Sequence, residues 1–398
     1  MRFPAVLVIS LIILSAVSDY LLWLIIKKHS KSKLLKYIHL TVAGLALLAL
    51  FAALVAPVKS IGHTLFFTFM WSIFAYMSIY IPKAVYLIFY GLSSVPLIFK
   101  RKRVKSVLWI GAALSVITFI TVWWGVIYTR NTIEIKNVQI VSDRLPASFD
   151  GFKIAQFSDI HVGSYNGETD FVEKVVNTIN GLNADLVVFT GDIVNQETKE
   201  LDPYIDILSG IRSKLGVYTI LGNHDYGDYK IWSSDKEQAE NNALLQEYFK
   251  RMKWNALNND YCFIKQGTDS LALIGVENWG DPPFKTYCDL SVSYPNLNDD
   301  NFKILLSHNP AHWKAEIIGN TNIDLMMAGH THAMQSQISI FGYRFSPAWF
   351  RYHEWGGLYT SESGTQKLYV NIGLGQVALP ARFGTAYPEI TLFELKSK

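Results

Sequence analysis

Residues 153–161 read Lys-Ile-Ala-Gln-Phe-Ser-Asp-Ile-His: a short run suited to a buried strand, then a polar turn carrying Asp159 and His161 two positions apart. Four later segments repeat that grammar. Leu186–Thr190 runs into Gly191-Asp192, and Val217–Leu221 into Gly222-Asn223-His224-Asp225. Lys303–Ser307 runs into His308, and Ile323–Met327 leads to Gly329-His330-Thr331-His332. Leu271–Val276, Leu368–Asn371 and Ile390–Leu395 also read as buried strands. Asp170–Asn180 reads as an amphipathic helix with Asp170 as N-cap, and Lys236–Lys253 as a second helix. Strands alternating with helices predict an α/β architecture with covered sheets over residues 131–398.

Ligands in open α/β sheets bind beyond the carboxyl ends of strands. Here five predicted strands each deliver Asp, Asn or His at that edge. Of the seven histidines in residues 131–398, five lie in these motifs, and only His312 and His353 do not. Carboxylates, an amide oxygen and imidazoles without thiolate suit Mn²⁺, Fe, Zn²⁺ or Ni²⁺ rather than a structural zinc. Any one motif alone would read as a turn or a satisfied histidine; the ordered set reads as a site for two divalent metals. Glycines before Asp192, Asn223 and His330 permit tight turns and close backbone approach.

The first 130 residues differ in kind. They hold fourteen Lys or Arg and one acidic residue, Asp19, a net +13, whereas the remainder sums to −10. The overall +3 of the 398-residue chain describes neither part, so it does not argue for nucleic-acid binding, and none is predicted. Phe3–Ile26, Tyr37–Val58, Ile61–Ile81 and Ser106–Tyr128 are each long enough to span a bilayer. A cleaved signal peptide is the alternative for the first; its apolar run continues past Ala16-Val17-Ser18, which favours an anchor. Residues 84–99 either extend the third span past Pro82 or lie in the interface. Lysine and arginine clusters at 27–36 and 100–105 predict cytoplasmic loops on one side, four spans, and an extracytoplasmic acidic part, residues 131–398, in a multi-pass inner-membrane protein. Asp19 reads as an acid paired with a neighbouring helix or a headgroup lysine rather than as a functional intramembrane charge.

The ordered motifs D-x-H, G-D, G-N-H-D, a lone His and G-H-T-H resemble the calcineurin-like metallophosphoesterase superfamily, over residues 150–395. Gly357-Leu358-Tyr359, Leu368-Tyr369-Val370, Gly373-Leu374-Gly375 and Pro388-Glu389-Ile390 resemble its bacterial membrane-associated, YkuE-like branch. That branch has Gly-Gly-Gln where this chain has Ala333-Met334-Gln335. The resemblance implies a four-layer αββα sandwich of two mixed sheets flanked by helices. It implies one metal on Asp159, His161, Asp192 and His332, and a second on Asp192, Asn223, His308 and His330, with Asp192 bridging. It further implies that a bridging hydroxide attacks phosphorus while His224 protonates the leaving oxygen; Asp225 reads as an orienting residue. Mn²⁺ is the first expectation for the metal pair.

The substrate is bounded only by context. The segment Phe341–Trp355 is aromatic and contains Arg344 and Arg351, the candidate substrate-binding residues. It reads either as a rim docking on the bilayer or as a loop packed on the protein. Trp279–Phe284 is a second aromatic cluster of the same kind. With an extracytoplasmic site the expectation is a lipid or cell-envelope phosphoester. In the reverse orientation a UDP-2,3-diacylglucosamine-type pyrophosphatase of lipid A synthesis becomes the alternative. A non-catalytic sensor binding phosphorylated ligands is the competing class, four spans with one internal charge give a transporter little support, and no protein partner is predicted. Cys262 and Cys288 fit no metal or redox motif; an extracytoplasmic location makes a disulfide between them reasonable.

Overall fold

The computed structural model describes residues 5–55, 63–282, 285–296 and 299–398. The predicted span ends at 3–4, 56–58 and 61–62, and Pro283 and Phe284 of the second aromatic cluster, lie outside the described residues. The chain divides into two compact units: Met1–Ile127 with Ala378–Ala381, and Tyr128–Val377 with Arg382–Lys398.

The first unit contains helices α1 (Ala5–His29), α2 (Lys33–Val55), α3 (His63–Ser94) and α4 (Lys105–Ile127). All four are long and apolar enough to cross a membrane. Pro82 lies inside α3, whose helix continues to Ser94 and then tightens into a 3₁₀ turn, Val95–Phe99. Residues 84–99 therefore extend the third helix. Ser115 of α4 donates to the Pro82 carbonyl at 2.8 Å, a side-chain tie between the two helices at the interior proline. Asp19 pairs with Lys83 of α3 and accepts from Tyr80 at 2.6 Å, so the acid is held by a neighbouring helix.

The second unit is built on two six-stranded mixed sheets. In the first, β1 (Glu134–Ser142) and β15 (Glu389–Ser397) lie beside β2 (Lys153–Phe157), β3 (Leu186–Phe189), β4 (Val217–Thr219) and β5 (Trp254–Ala256). Strands β2 to β5 are parallel, and β15 is antiparallel to β2. The second sheet runs β12 (Gly357–Thr360), β13 (Lys367–Val370), β9 (Leu325–Ala328), β8 (Lys303–Leu306), β7 (Asp269–Gly275) and β6 (Asp260–Gln266). Its inner strands are parallel, its two outer pairs antiparallel. A third, three-stranded sheet holds β10 (Ser336–Ile340), β11 (Tyr343–Phe345) and β14 (Phe383–Gly384).

Side-chain alternation assembles the layers. On β3, Val187 and Phe189 pack toward α5 (Asp170–Gly181) and α7 (Asp235–Met252), with α6 (Ile205–Leu208) in the same core. Leu186 and Val188 point the other way, onto Leu271, Leu273, Ile304 and Leu306 of the second sheet. That sheet's outer face, Ala272, Ile274, Leu305 and Met326, is covered by Leu290, Trp313 and Ile317 from short helical turns. The result is helix, sheet, sheet and a thin outer helical layer. Helix α5 begins one residue earlier than expected: Thr169 is its N-cap, without a side-chain cap bond, and Asp170 occupies the first turn, where its charge suits the helix dipole. Helix α7 is capped by Ser234, which accepts from Glu237 N, while the Glu237 carboxylate accepts from Ser233 N. Cys262 and Cys288 are free thiols. They are not bridged because Cys262 packs on the core between the sheets and Cys288 on the opposite face of the second sheet.

Candidate metal centre

The parallel strands β2, β3 and β4 and their counterparts β8 and β9 all end at one edge, and their polar turns converge there. Asp159, His161, Asp192, Asn223, His308 and His332 are all buried. Three overlapping triads, Asp159/His161/His332, His161/Asp192/His224 and Asp192/His308/His330, each bring their ligand atoms within 4.8 Å of one another. The backbone is strained to achieve this. Asp159, His161, Asp192, His330 and His332 all have φ between 45° and 75°, the left-handed region that non-glycine residues rarely adopt. Concentration of such strain in one cluster of turns marks a functional site.

The hydrogen bonds fix which atoms face the centre. His161 Nδ1 lies 3.0 Å from the Val194 carbonyl and His308 Nδ1 lies 2.7 Å from the Thr190 carbonyl. A carbonyl only accepts, so both Nδ1 atoms carry a proton and both Nε2 atoms are the ones turned to the centre. His161 Nε2 then faces His332 Nε2 at 3.1 Å, and His308 Nε2 faces His330 Nδ1 at 3.2 Å and Asp192 Oδ2 at 3.2 Å. Asn223 donates through Nδ2 to Tyr229 at 2.8 Å, which turns Oδ1 inward; that oxygen is buried with no hydrogen-bond partner. Converging imidazole nitrogens and carboxylates with an orphaned amide oxygen fit divalent cations.

The electrostatics agree. Burial alone would raise the carboxyls of Asp159 and Asp192. Neighbouring imidazoles, His332 and His308 for the first and His308 and His224 for the second, hold both below the usual range. Burial pushes His161 well below its usual range and His330 down to about 3. Burial also opposes charge on His308, but Asp192 and Asp159 outweigh it and raise the imidazole to about 10. Without a metal His308 is therefore protonated and paired with Asp192, a proton that a cation on the same atoms would displace.

His224 stands beside this set. Its Nδ1 lies 2.7 Å from the Asn195 carbonyl, its ring stacks on Tyr229 at 4.2 Å, and its backbone N–H donates to Asp192 Oδ1 at 2.8 Å. Asp225 is turned away and accepts from the backbone N–H groups of Gly222, Asp192 and Ile193 at 2.8–2.9 Å, tying two ligand turns together. Arg344 and Arg351 are engaged elsewhere: Arg344 donates to the Gly356 carbonyl at 2.9 Å and lies over Trp355, while Arg351 pairs with Asp281 and donates to Pro282.

Sequence reading missed two supporting residues. Tyr352 Oη sits 2.8 Å from His330 Nε2, and Arg382, wholly buried among the carbonyls of Gly375 and Ile372, lies 3.5 Å from His332 Nδ1. Neither carries a local signal, since each meets its histidine only through the fold. The Ala333-Met334-Gln335 departure is legible in the backbone: all three residues have φ of 45–54°, a conformation glycine adopts without strain.

The calcineurin-like phosphoesterase family model matches residues 152–334, a span containing all seven donors and His224. The chain is 33% identical to the metallophosphoesterase YkuE of Bacillus subtilis over 270 residues, 67% of this chain and 86% of that protein. It is 26% identical to a transmembrane protein with metallophosphoesterase domain from Danio rerio, over 71% of this chain and 61% of that relative's length. A dimetal phosphatase structure from Danio rerio is similar at 14% identity and a TM-score of 0.31, over 56% of this chain and 88% of that one. The family match over the donor-bearing segment and the identity to YkuE along most of its length place the chain in the calcineurin-like metallophosphoesterase family, as a phosphoesterase hydrolase.

Proposed function

We propose that this chain is a membrane-anchored two-metal phosphoesterase acting on a lipid or other cell-envelope phosphoester. The observation that carries the reading is the overlap of the donor triads at Asp192, together with the orphaned Asn223 oxygen beside them. Asp159, His161, Asp192 and His332 would hold one cation, and Asp192, Asn223, His308 and His330 the other. The donor set suits Mn²⁺, with Fe, Zn²⁺ or Ni²⁺ as alternatives. Bound there, two divalent cations supply a water-derived nucleophile at neutral pH and offset the charge of the phosphoryl oxygens.

The protein's own groups do the rest. The Asn195 carbonyl holds the Nδ1 proton of His224, so Nε2 is the free end of the ring, and from the imidazolium form it would give its proton to the leaving oxygen. Asp225 keeps the Asp192 and Asn223 turns in register. The four apolar helices support the anchor. The lysines around the α1–α2 turn and the lysine- and arginine-rich segment between α3 and α4 support a cytoplasmic side for both, and thus an extracytoplasmic catalytic unit.

The test is hydrolysis of p-nitrophenyl phosphate and bis-p-nitrophenyl phosphate by the full-length protein with Mn²⁺. His224→Ala should keep its metal and lose about 10²–10⁴ in turnover. Metal binding without hydrolysis of either ester would favour a phospholigand-binding domain instead. A periplasm-active reporter fused after Lys398 reads the orientation, and a cytoplasmic signal would overturn it.

A further inference from the structure

We propose that the β10–β11 hairpin, with the turn Pro347–Phe350, is a bilayer-docking element that sets the metal centre at the level of lipid phosphates. The substrate is then a lipid-headgroup phosphoester taken from the membrane plane. This deepens the proposed phosphoesterase function and rests on it for the substrate clause.

The hairpin is unusual for a water-facing strand pair. β10 pairs with β14 only through Ser336 and Gln337; from Ile338 onward its paired neighbour is β11. Every residue from Ile338 to Phe345 is exposed, on both faces of the ribbon. Phe341 is 97% exposed, Tyr343 84% and Phe350 77%, and Ile338, Ile340, Phe345 and Trp349 are exposed as well. Arg344 is the single charged residue between Ile338 and Phe350. Two-stranded ribbons are marginal in water, and exposed edges are ordinarily guarded by charge or proline. An apolar, aromatic tip with one arginine has instead the composition of the interface between acyl chains and headgroups.

Two further observations select the bilayer as occupant. Only residues 128–133 separate the last apolar helix, α4, from β1, so the catalytic unit is tethered to a membrane-length helix by at most about 20 Å of chain. Both ends of the hairpin are also fastened to the metal-ligand turn. Strand β10 starts at Ser336, just beyond His332; Ser346, following β11, donates to the Ala333 carbonyl at 2.6 Å. The next turn delivers Tyr352 to His330. Insertion of the tip therefore fixes the height of the donor cluster above the acyl chains.

The test uses the full-length protein with Cys262→Ala and Cys288→Ala, in vesicles of phosphatidylethanolamine and phosphatidylglycerol. Nitroxide labels go on Phe341→Cys, Tyr343→Cys and a control, Lys236→Cys, whose native side chain is 85% exposed on α7. The labels at 341 and 343 should be accessible to oxygen, protected from a water-soluble nickel chelate, and about 5–10 Å below the headgroup boundary. Nickel accessibility equal to that at 236 overturns the docking. Protection from both quenchers also overturns it, because the hairpin is then packed on protein, its own helices or a second copy.

Activity separates the substrate clause. The variant Phe341→Ser/Tyr343→Ser/Phe350→Ser should keep bis-p-nitrophenyl phosphate hydrolysis within about twofold. It should lose about tenfold or more on fluorescent phosphatidic acid or phosphatidylglycerol in vesicles. Equal loss on soluble and lipid esters assigns the hairpin a structural role. Hydrolysis of the soluble ester but of neither lipid sinks the substrate clause. A wild-type protein that hydrolyses nothing sinks the phosphoesterase proposal, while the label depths still decide docking.

Discussion

His161 and His332 meet ring to ring, Nε2 to Nε2, at 3.1 Å, and the His161 proton is committed to the Val194 carbonyl on the far side of its ring. The two facing nitrogens share at most one proton, and a cation taking both lone pairs would displace it. His332→Ala should therefore remove one metal site while sparing the Asp192, Asn223, His308 and His330 set. Metal content of the purified protein should fall from two ions toward one per chain. The loss of affinity should exceed the roughly 10–100-fold that an outer partner contributes. Retention of both metals would show that His332 is not a ligand.

Tyr352 gives a graded test of the same centre. Its hydroxyl holds His330 Nε2 at 2.8 Å, which leaves Nδ1 as the atom facing His308. Tyr352→Phe keeps the ring and removes only that partner. Chelator competition should report a roughly 10–100-fold weaker second metal, with the first unchanged. An unaltered affinity would mean that the ring merely packs.

Asp225 acts on the turns rather than on the metals. Its buried carboxylate accepts several backbone N–H bonds from the Asp192 and Asn223 turns. Asp225→Ala strands these donors, at a cost of about 3 kcal/mol or more. For a unit of this size that corresponds to a fall in melting temperature of roughly 5–10 °C. Asp225→Asn, which keeps one accepting oxygen, should fall in between. Unchanged melting in both variants would sink the role.

The same contrast explains what could be read from the chain. The candidate metal donors could be picked out because each follows a short apolar run that reads as a covered strand, and the strand's end brings them to one edge. Strand β1 was not legible: Glu134, Lys136 and Gln139 interrupt its apolar residues, and its pairing with β15 is set by the far end of the chain. Edge strand β6 hid for the same reason, with charged Asp260 and Lys265 on a half-buried ribbon. Tyr352 and Arg382 were invisible because a hydrogen bond to His330 or a contact with His332 leaves no periodicity behind. Arg344 and Arg351 have partners that the sequence could not give: the fold turns donors of theirs to Gly356 and to Asp281.

The cysteines supply a test of both fold and chemistry. Cys262 faces the core between the two large sheets, and Cys288 lies against the core on the second sheet's other side. A bond between them would have to pass through a sheet, so both thiols should alkylate after denaturation without reductant, even in protein collected from an oxidising compartment. In the folded state the thiolate is the reacting species. Burial pushes the Cys288 thiol up to about 12, with the acidic Glu316, Asp289 and Glu277 adding to it, and burial also raises Cys262. A group whose thiolate forms only at high pH reacts slowly at pH 8. Its alkylation rate should keep rising about tenfold per pH unit beyond pH 9, where an ordinary thiol of pKa about 8.5 has levelled off. Mass spectrometry after timed iodoacetamide exposure reads both outcomes. Absence of alkylation in the denatured, unreduced chain would mean the two sulfurs are bridged and the sheet between them is wrongly placed. A Cys288 rate that levels off near pH 9 would mean its surroundings are far more open to water than its packing indicates.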